Sequence, residues 1–414
     1  MRYDRVVSDD EFRQRVRGHT PSRLLPLVAA AGARWDGRMT EMLTWPGTRR
    51  GEVQKYMPWA LAEVARTSLV FGTEDHRKRA TDDDLLDMLC AFSALADPQL
   101  HRGDPNAAAN FYLRISSEQL VYQQSVMNEF ARSLAMFEQK VVTKPLSNMV
   151  PGWARQLFGG ELRDYVGVAF LLLVAAKKNE GRFALSWLDR PEFRSGSGSI
   201  SFEVIRTAVE NSFTADTSEI RALQASAPVV RGEMRGFGFN PLLSRPVITG
   251  VAPDVSLVPV PHLLVCKASP LGVYFAGVQR WDVAFSKDVG TFLEAYVGRQ
   301  LELSGGQVAP AAKYIRSGAE AETVDWTVVF DDVALLVEVK SVCSMHGRPV
   351  AGGSGNRTPK QHRQRQKRAF SQSRQGGSSM GGEAVSRSWG APGSVRRARC
   401  ASRPIGRTDR ACER

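Results

Sequence analysis

The chain has little with which to bind transition metals or to cross-link itself. Its five cysteines (Cys90, Cys266, Cys343, Cys400, Cys412) never fall at CxxC spacing, and its six histidines never form an HxH or HxxxH pair. That argues against a zinc site, a disulfide framework and Cys–His nucleophilic catalysis. Neither GxxxxGK[ST] nor GxGxxG occurs, so the two common phosphate-cradling loops are missing. The longest apolar run, Val166 to Ala176, is half of the ~20 residues needed to span a bilayer and reads as a buried core helix. The opening MRYDRVVSDDEF carries charge throughout, with no apolar core of a signal peptide. The expectation is a cytoplasmic protein with no membrane partner.

Basic charge is abundant, but only in one place. The formal net charge is +12. Residues 344–414 contain 16 Lys and Arg against three acids, a net of +13, which leaves 39 basic and 40 acidic side chains on the first 343 residues. The pI therefore describes the tail and says nothing about the partners of the rest. The same 71 residues contain no leucine, no tyrosine and one isoleucine, Ile405. Such a segment buries too little apolar surface to offset its ordering entropy, and disorder is expected. A basic arm for nucleic acid (with Lys360 to Arg368 its densest stretch), a plain appendage and an out-of-frame translation of a GC-rich gene are three readings of that composition.

Residues 1–236 read mostly as helices. Ser8 to Glu11 has capping-box spacing, and Thr81 precedes an acidic turn and the apolar series Leu85, Leu86, Leu89, Phe92, Leu95. Asp104-Pro105 opens a long stretch running to Phe137 at helical spacing, and a further helix is expected from Phe202 to about Leu223. Arg194 to Ser199 is a Gly/Ser loop. From Gly236 to Gly272 prolines recur between short β-branched runs, Pro246 to Thr249 and His262 to Val265, expected as short edge strands opening a new domain, residues 237–343. Phe285 to Leu303 regains the helical period and stops at Gly305-Gly306.

A β-hairpin follows. Val324 to Phe330 and Val333 to Lys340 flank Asp331-Asp332, and the second strand is apolar on both faces, as a central covered strand would be. With a two-residue loop Phe330 faces Val333, and down the ladder Asp325 faces Glu338. Cross-strand partners share a face with Cβ atoms about 4.5–5.5 Å apart. Lys340, two residues on, shares it too. Two carboxylates and an ammonium thus meet at one hairpin end. Carboxylates held so close call for a cation between them, and a hard divalent ion, Mg²⁺ or Mn²⁺, suits oxygen ligands. An ordinary solvated hairpin end is the other reading of the same residues.

Asp325, twelve intervening residues and then Glu338-Val339-Lys340 on an apolar strand resembles the D…(D/E)xK core of the restriction-endonuclease-like nuclease superfamily. The resemblance covers residues 280–343, about a sixth of the chain. It implies an α/β sandwich with a mixed sheet, cleavage of DNA or less often RNA, and metal held by Asp325 and Glu338 with Lys340 as the catalytic lysine. It also implies a third carboxylate on the preceding helix, the position of Glu294. The chain departs from the family's pattern after Lys340, where a helix and further strands should follow and the basic tail follows instead. The expected class is therefore α+β: a helical N-terminal region (1–236), an incomplete restriction-endonuclease-like core (237–343) and a disordered basic tail (344–414). The expected function is metal-dependent nuclease chemistry with nucleic acid, DNA first, as partner. A non-catalytic nucleic-acid or protein-binding module with a degenerate nuclease fold is the alternative.

Overall fold

The computed structural model describes residues 6–34, 58–75, 80–95, 108, 112, 122, 125–138, 144–191, 193, 198, 200–228, 238–316 and 318–340. All of them belong to one unit, Met1–Gly352. The basic tail, the Arg194–Ser199 loop apart from Gly198, and most of the 104–124 stretch lie outside the described residues.

The fold is α+β with a helical N-terminal region. Helices α1 (Asp9–Arg17), α2 (Pro21–Arg34), α3 (Pro58–Phe71) and α4 (Asp82–Ser93) come first. Ser8 caps α1 by accepting the Glu11 N–H, and Thr81 with Asp84 forms a reciprocal capping box on α4. Next come α5 (Val126–Phe137), α6 (Trp153–Phe158) and α7 (Leu162–Lys178). As expected, the Val166 to Ala176 run is the core of a helix. Most of α7 is buried. Among the described residues no helix is long and apolar enough to cross a membrane.

The expected helix from Phe202 to Leu223 is two helices. α8 (Phe202–Ala208) loosens into a π-turn and a two-residue strand, β2 (Thr214–Ala215), before α9 (Thr217–Ala225). Asp216 starts the second, exchanging capping bonds with Glu219. The break lets β2 join a four-stranded mixed sheet, ordered β1 (Arg182–Phe183), β4 (Val255–Leu257), β3 (Val247–Ala252), β2. So the run at Pro246–Thr249 is an interior strand, where an edge strand was expected. The other run, His262 to Val265, is not a strand. It is α10 (His262–Ala268), with six of its seven residues buried. A four-residue apolar run surrounded by core has no period by which to tell helix from strand.

This small sheet lies between two apolar cores. Successive strand residues point to opposite faces. Ile248 enters a core with α1–α4, including Leu24, Leu61 and Leu89, while Val247 enters a second with α5–α8, including Phe158, Tyr165 and Phe213. Leu263 and Leu264 on α10 divide the same way. Both cores therefore run across residue 237, and the composition shift there does not coincide with a break in packing.

The second core also takes in the first part of α11 (Pro270–Glu302). α11 is sharply bent at Asp282, whose backbone (φ 53°, ψ −139°) is not helical. Tyr274 and Ser286 are twelve residues apart, about 18 Å in a straight helix, yet their hydroxyls lie 3.2 Å apart. The Phe285 ring fills the space over Gly277, where a Cβ would come within 2.1 Å of it. The second limb is the helix expected from Phe285. Beyond it lie β5 (Gln307–Pro310), the β6–β7 hairpin (Lys313–Arg316, Ala319–Glu322), and β8 (Trp326–Val329) paired with β9 (Ala334–Val337). The sheet order is β5-β8-β9, all antiparallel. The mixed sheet that the resemblance implies is thus not the one that carries the motif. β9 is not the central, covered strand expected from its composition. Among the described strands it sits at an edge, with Leu335 47% and Leu336 71% exposed.

Candidate functional site

The hairpin has the register derived from its sequence. Trp326 pairs with Val337, Thr327 with Leu336, Val328 with Leu335 and Val329 with Ala334, closed by the Phe330 N–H donating to the Val333 carbonyl. One step beyond the Trp326–Val337 pair of that register come Asp325 and Glu338, and the Asp325 carboxylate reaches across to the backbone of the other strand. The Val339 N–H donates to Asp325 Oδ2 at 2.6 Å. Lys340 Nζ donates to Glu338 Oε1. That bond, with the ammonium's charge, holds the Glu338 carboxyl below its usual range. In return it raises Lys340, helped by the charges of Glu338 and Asp325. Both groups are solvent-exposed, so the pair itself contributes little stability.

Glu294 reaches this corner from the second limb of α11. β8 docks on that limb through Trp326, whose indole N–H donates to the Glu294 carbonyl at 3.1 Å. Its ring occupies the place where a side chain at Gly298 would go, and a Cβ there would lie 2.2 Å from Trp326 Cζ2. The Glu294 side chain itself is bound by a residue that the sequence did not single out. Lys144 Nζ donates to Glu294 Oε2 at 2.6 Å. That bond and the charges of Glu294, Asp325 and Glu322 raise the Lys144 ammonium above its ordinary range.

A second unanticipated residue fixes that lysine's loop. Asp288, 3% exposed on α11, accepts the N–H groups of Ser147 (3.0 Å), Asn148 (2.6 Å) and Met149 (3.0 Å). A buried carboxylate binding three amides ties residues 147–149 to the helix that carries Glu294. A local signal existed: Asp288 sits between Phe285, Val289 and Phe292 on the apolar stripe, where a charge needs partners.

The motif residues thus gather incompletely. Asp325, Glu338 and Lys340 meet at the hairpin end, while Glu294 is bound by Lys144. Among the described residues no three acidic, histidine or cysteine side chains converge as a metal-ligating group. The donor chemistry, oxygen only, suits Mg²⁺, which is commonly held by one or two carboxylates plus substrate oxygens. Asp325 and Glu338 fit that requirement. Glu294 stays outside it while Lys144 holds its carboxylate. Comparison of the chain with protein-family models, with curated proteins and with solved structures finds no match.

Proposed function

We propose that the end of the β8–β9 hairpin is the reaction centre of a Mg²⁺- or Mn²⁺-dependent phosphodiesterase acting on nucleic acid, with DNA as the first substrate to try. The observation that carries this reading is the register that sets Asp325 beside Glu338 with Lys340 two residues on. Asp325 and Glu338 would hold the ion. When bound, such an ion stabilises charge on a phosphoryl oxygen and lowers the pKa of a water ligand. Lys340 lies against Glu338 with its ammonium raised above its ordinary range, and there it would orient the attacking water and offset developing negative charge. Lys144 holds Glu294 aside as a reserve ligand. Asp288 acts through Lys144 as a positioning residue.

The test is cleavage of double-stranded DNA, single-stranded DNA and RNA with Mg²⁺ or Mn²⁺, by the full chain and by Asp325→Asn and Lys340→Ala. Both variants should unfold at the temperature of the parent and lose all metal-dependent cleavage. Full activity in either overturns the assignment.

One observation favours a second reading, a non-catalytic nucleic-acid or protein-binding module. Two of the three carboxylates are already bonded to ammonium groups of the chain, Glu294 to Lys144 and Glu338 to Lys340. In that case Mn²⁺ binding by calorimetry should be absent in the parent chain and remain absent in Lys144→Ala.

A further inference from the structure

β9 is blunted as a sheet edge only by its shortness, four residues, and by the charges beyond its two ends. The opposite edge, β5, ends in Pro310, which has no N–H to offer. β9 is Ala-Leu-Leu-Val, with no charge and no proline, and among the described strands it has β8 on one side and nothing on the other. Val333, Leu335 and Leu336 are 49%, 47% and 71% exposed. The 71 residues from 344 onward contain no leucine and one isoleucine, so the chain's own continuation has little with which to cover them.

Which backbone groups are available follows from the hairpin closure. Val333 turns its carbonyl to Phe330, so Val333, Leu335 and Val337 face β8, and by alternation Ala334, Leu336 and Glu338 turn their N–H and C=O outward. An antiparallel pairing of β9 with itself must match outward residues to outward residues, which leaves three central registers. Centring on Leu335 opposes Asp332 to Glu338, two like charges. Centring on Val337 opposes Leu336 to Glu338 and Ala334 to Lys340. Centring on Leu336 opposes Leu336 to itself, Ala334 to Glu338, and Asp332 to Lys340 of the second copy, twice by symmetry.

We propose that two copies of this chain pair antiparallel along β9, with Leu336 on the two-fold axis, joining β5-β8-β9 and its copy into one six-stranded sheet. The pairing satisfies the outward amides, buries the most exposed leucine of the hairpin and brings the Asp332 turn of each copy to Lys340 of the other. It is isologous, as most homodimers are. The contact is short, so its affinity falls in the micromolar range of small transient interfaces. It does not rest on the nuclease reading.

Sedimentation of the full chain from about 1 to about 200 µM should show a reversible monomer–dimer equilibrium. Leu336→Lys places two ammoniums on the axis and should weaken it by about tenfold or more, as should Lys340→Asp, which sets acid against Asp332. Combining Lys340→Asp with Asp332→Lys should restore it. Facing residues in such a pair have Cα atoms about 5.5 Å apart, within disulfide reach. Mild oxidation should therefore cross-link Leu336→Cys into a dimer above the level of the parent chain, while Leu335→Cys should stay at that level. A chain that is monomeric throughout overturns the proposal, as does a dimer indifferent to Leu336→Lys. So does equal cross-linking of the two cysteine variants, which would refute the register. Stronger association after deletion of residues 344–414 would show that the tail covers β9 and would also overturn it.

Discussion

Leu172 and Leu173 on α7 are 2% and 4% exposed, whereas Leu335 and Leu336 on β9 are 47% and 71% exposed. The residue type is the same and so is its local density; what differs is the number of layers. α7 lies in a core closed by helices and by the small mixed sheet, so each leucine contributes about 1.5–3 kcal/mol of burial. β8 is backed on one face by α11, through Trp326, and Val328 on that face is 1% exposed; the other face, with Val329 and Leu336, is open. The N-terminal cores are complete in themselves. The motif-bearing sheet is a ledge attached to them, and its geometry is only as firm as that attachment.

The comparison is broken most severely from the core side. Leu172→Ala should cost about 2–5 kcal/mol and lower the melting temperature of the whole described unit, as read by calorimetry. If it instead loosens only the hairpin, the cores are not the independent half. Next in size is Gly298→Val, which drives a side chain into the Trp326 ring and should cost about 1–3 kcal/mol. Here hydrogen exchange should quicken in β8 and β9 while α7 amides keep their protection. A uniform loss of protection would mean that ledge and cores unfold together. Asp288→Ala orphans the N–H groups of Ser147, Asn148 and Met149 at about 1–3 kcal/mol. It should free Lys144 from Glu294, visible as a fall in the Lys144 pKa by NMR.

A smaller, pH-dependent effect belongs to the core side. Burial, aided by the Arg245 guanidinium, pushes the Lys267 ammonium down from 10.5 to about 7, although the residue is not wholly enclosed. Between those values the unfolded chain holds a proton that the folded chain releases, so stability rises with pH from about 7 to 10.5 and the penalty is fully present below about 7. Lys267→Met should flatten that slope in chemical denaturation series. The least effect is expected at Leu336→Ser, within about 0.5 kcal/mol for the monomer, because the side chain packs on little.

What could be read ahead of the structure was what is local. Capping residues Ser8 and Thr81, the apolar run of α7 and the hairpin register are set by neighbours a few residues away, and the register follows from a two-residue loop alone. The break at Asp216 was also written locally, in an Asp-Thr-Ser-Glu capping spacing, but the helical period on either side masked it. Illegible were the features decided by distant chain. α10 is helical because both cores close around it, and β9 is an edge because no described strand adds beyond it. The candidate site divides the same way. Asp325, Glu338 and Lys340 lie on one hairpin and were legible together. Lys144 comes from a loop 150 residues before Glu294, and nothing in its own neighbourhood announces that it pairs there.

The bend at Asp282 makes α11 a cantilever. Its first limb and the root of its second, from Val273 through Phe285 to Phe292, are embedded in the second core, with Trp281 stacked on Phe285 as the fulcrum. From Glu294 onward the same helix projects from that mounting and bears the hairpin on Trp326. Amide protection should therefore decline along one unbroken run of helical hydrogen bonds, from global-unfolding values near Phe285 to local fraying near Leu301. A load applied at the hairpin, by a ligand or a second strand, would stiffen the free end first and be felt at the root only afterwards.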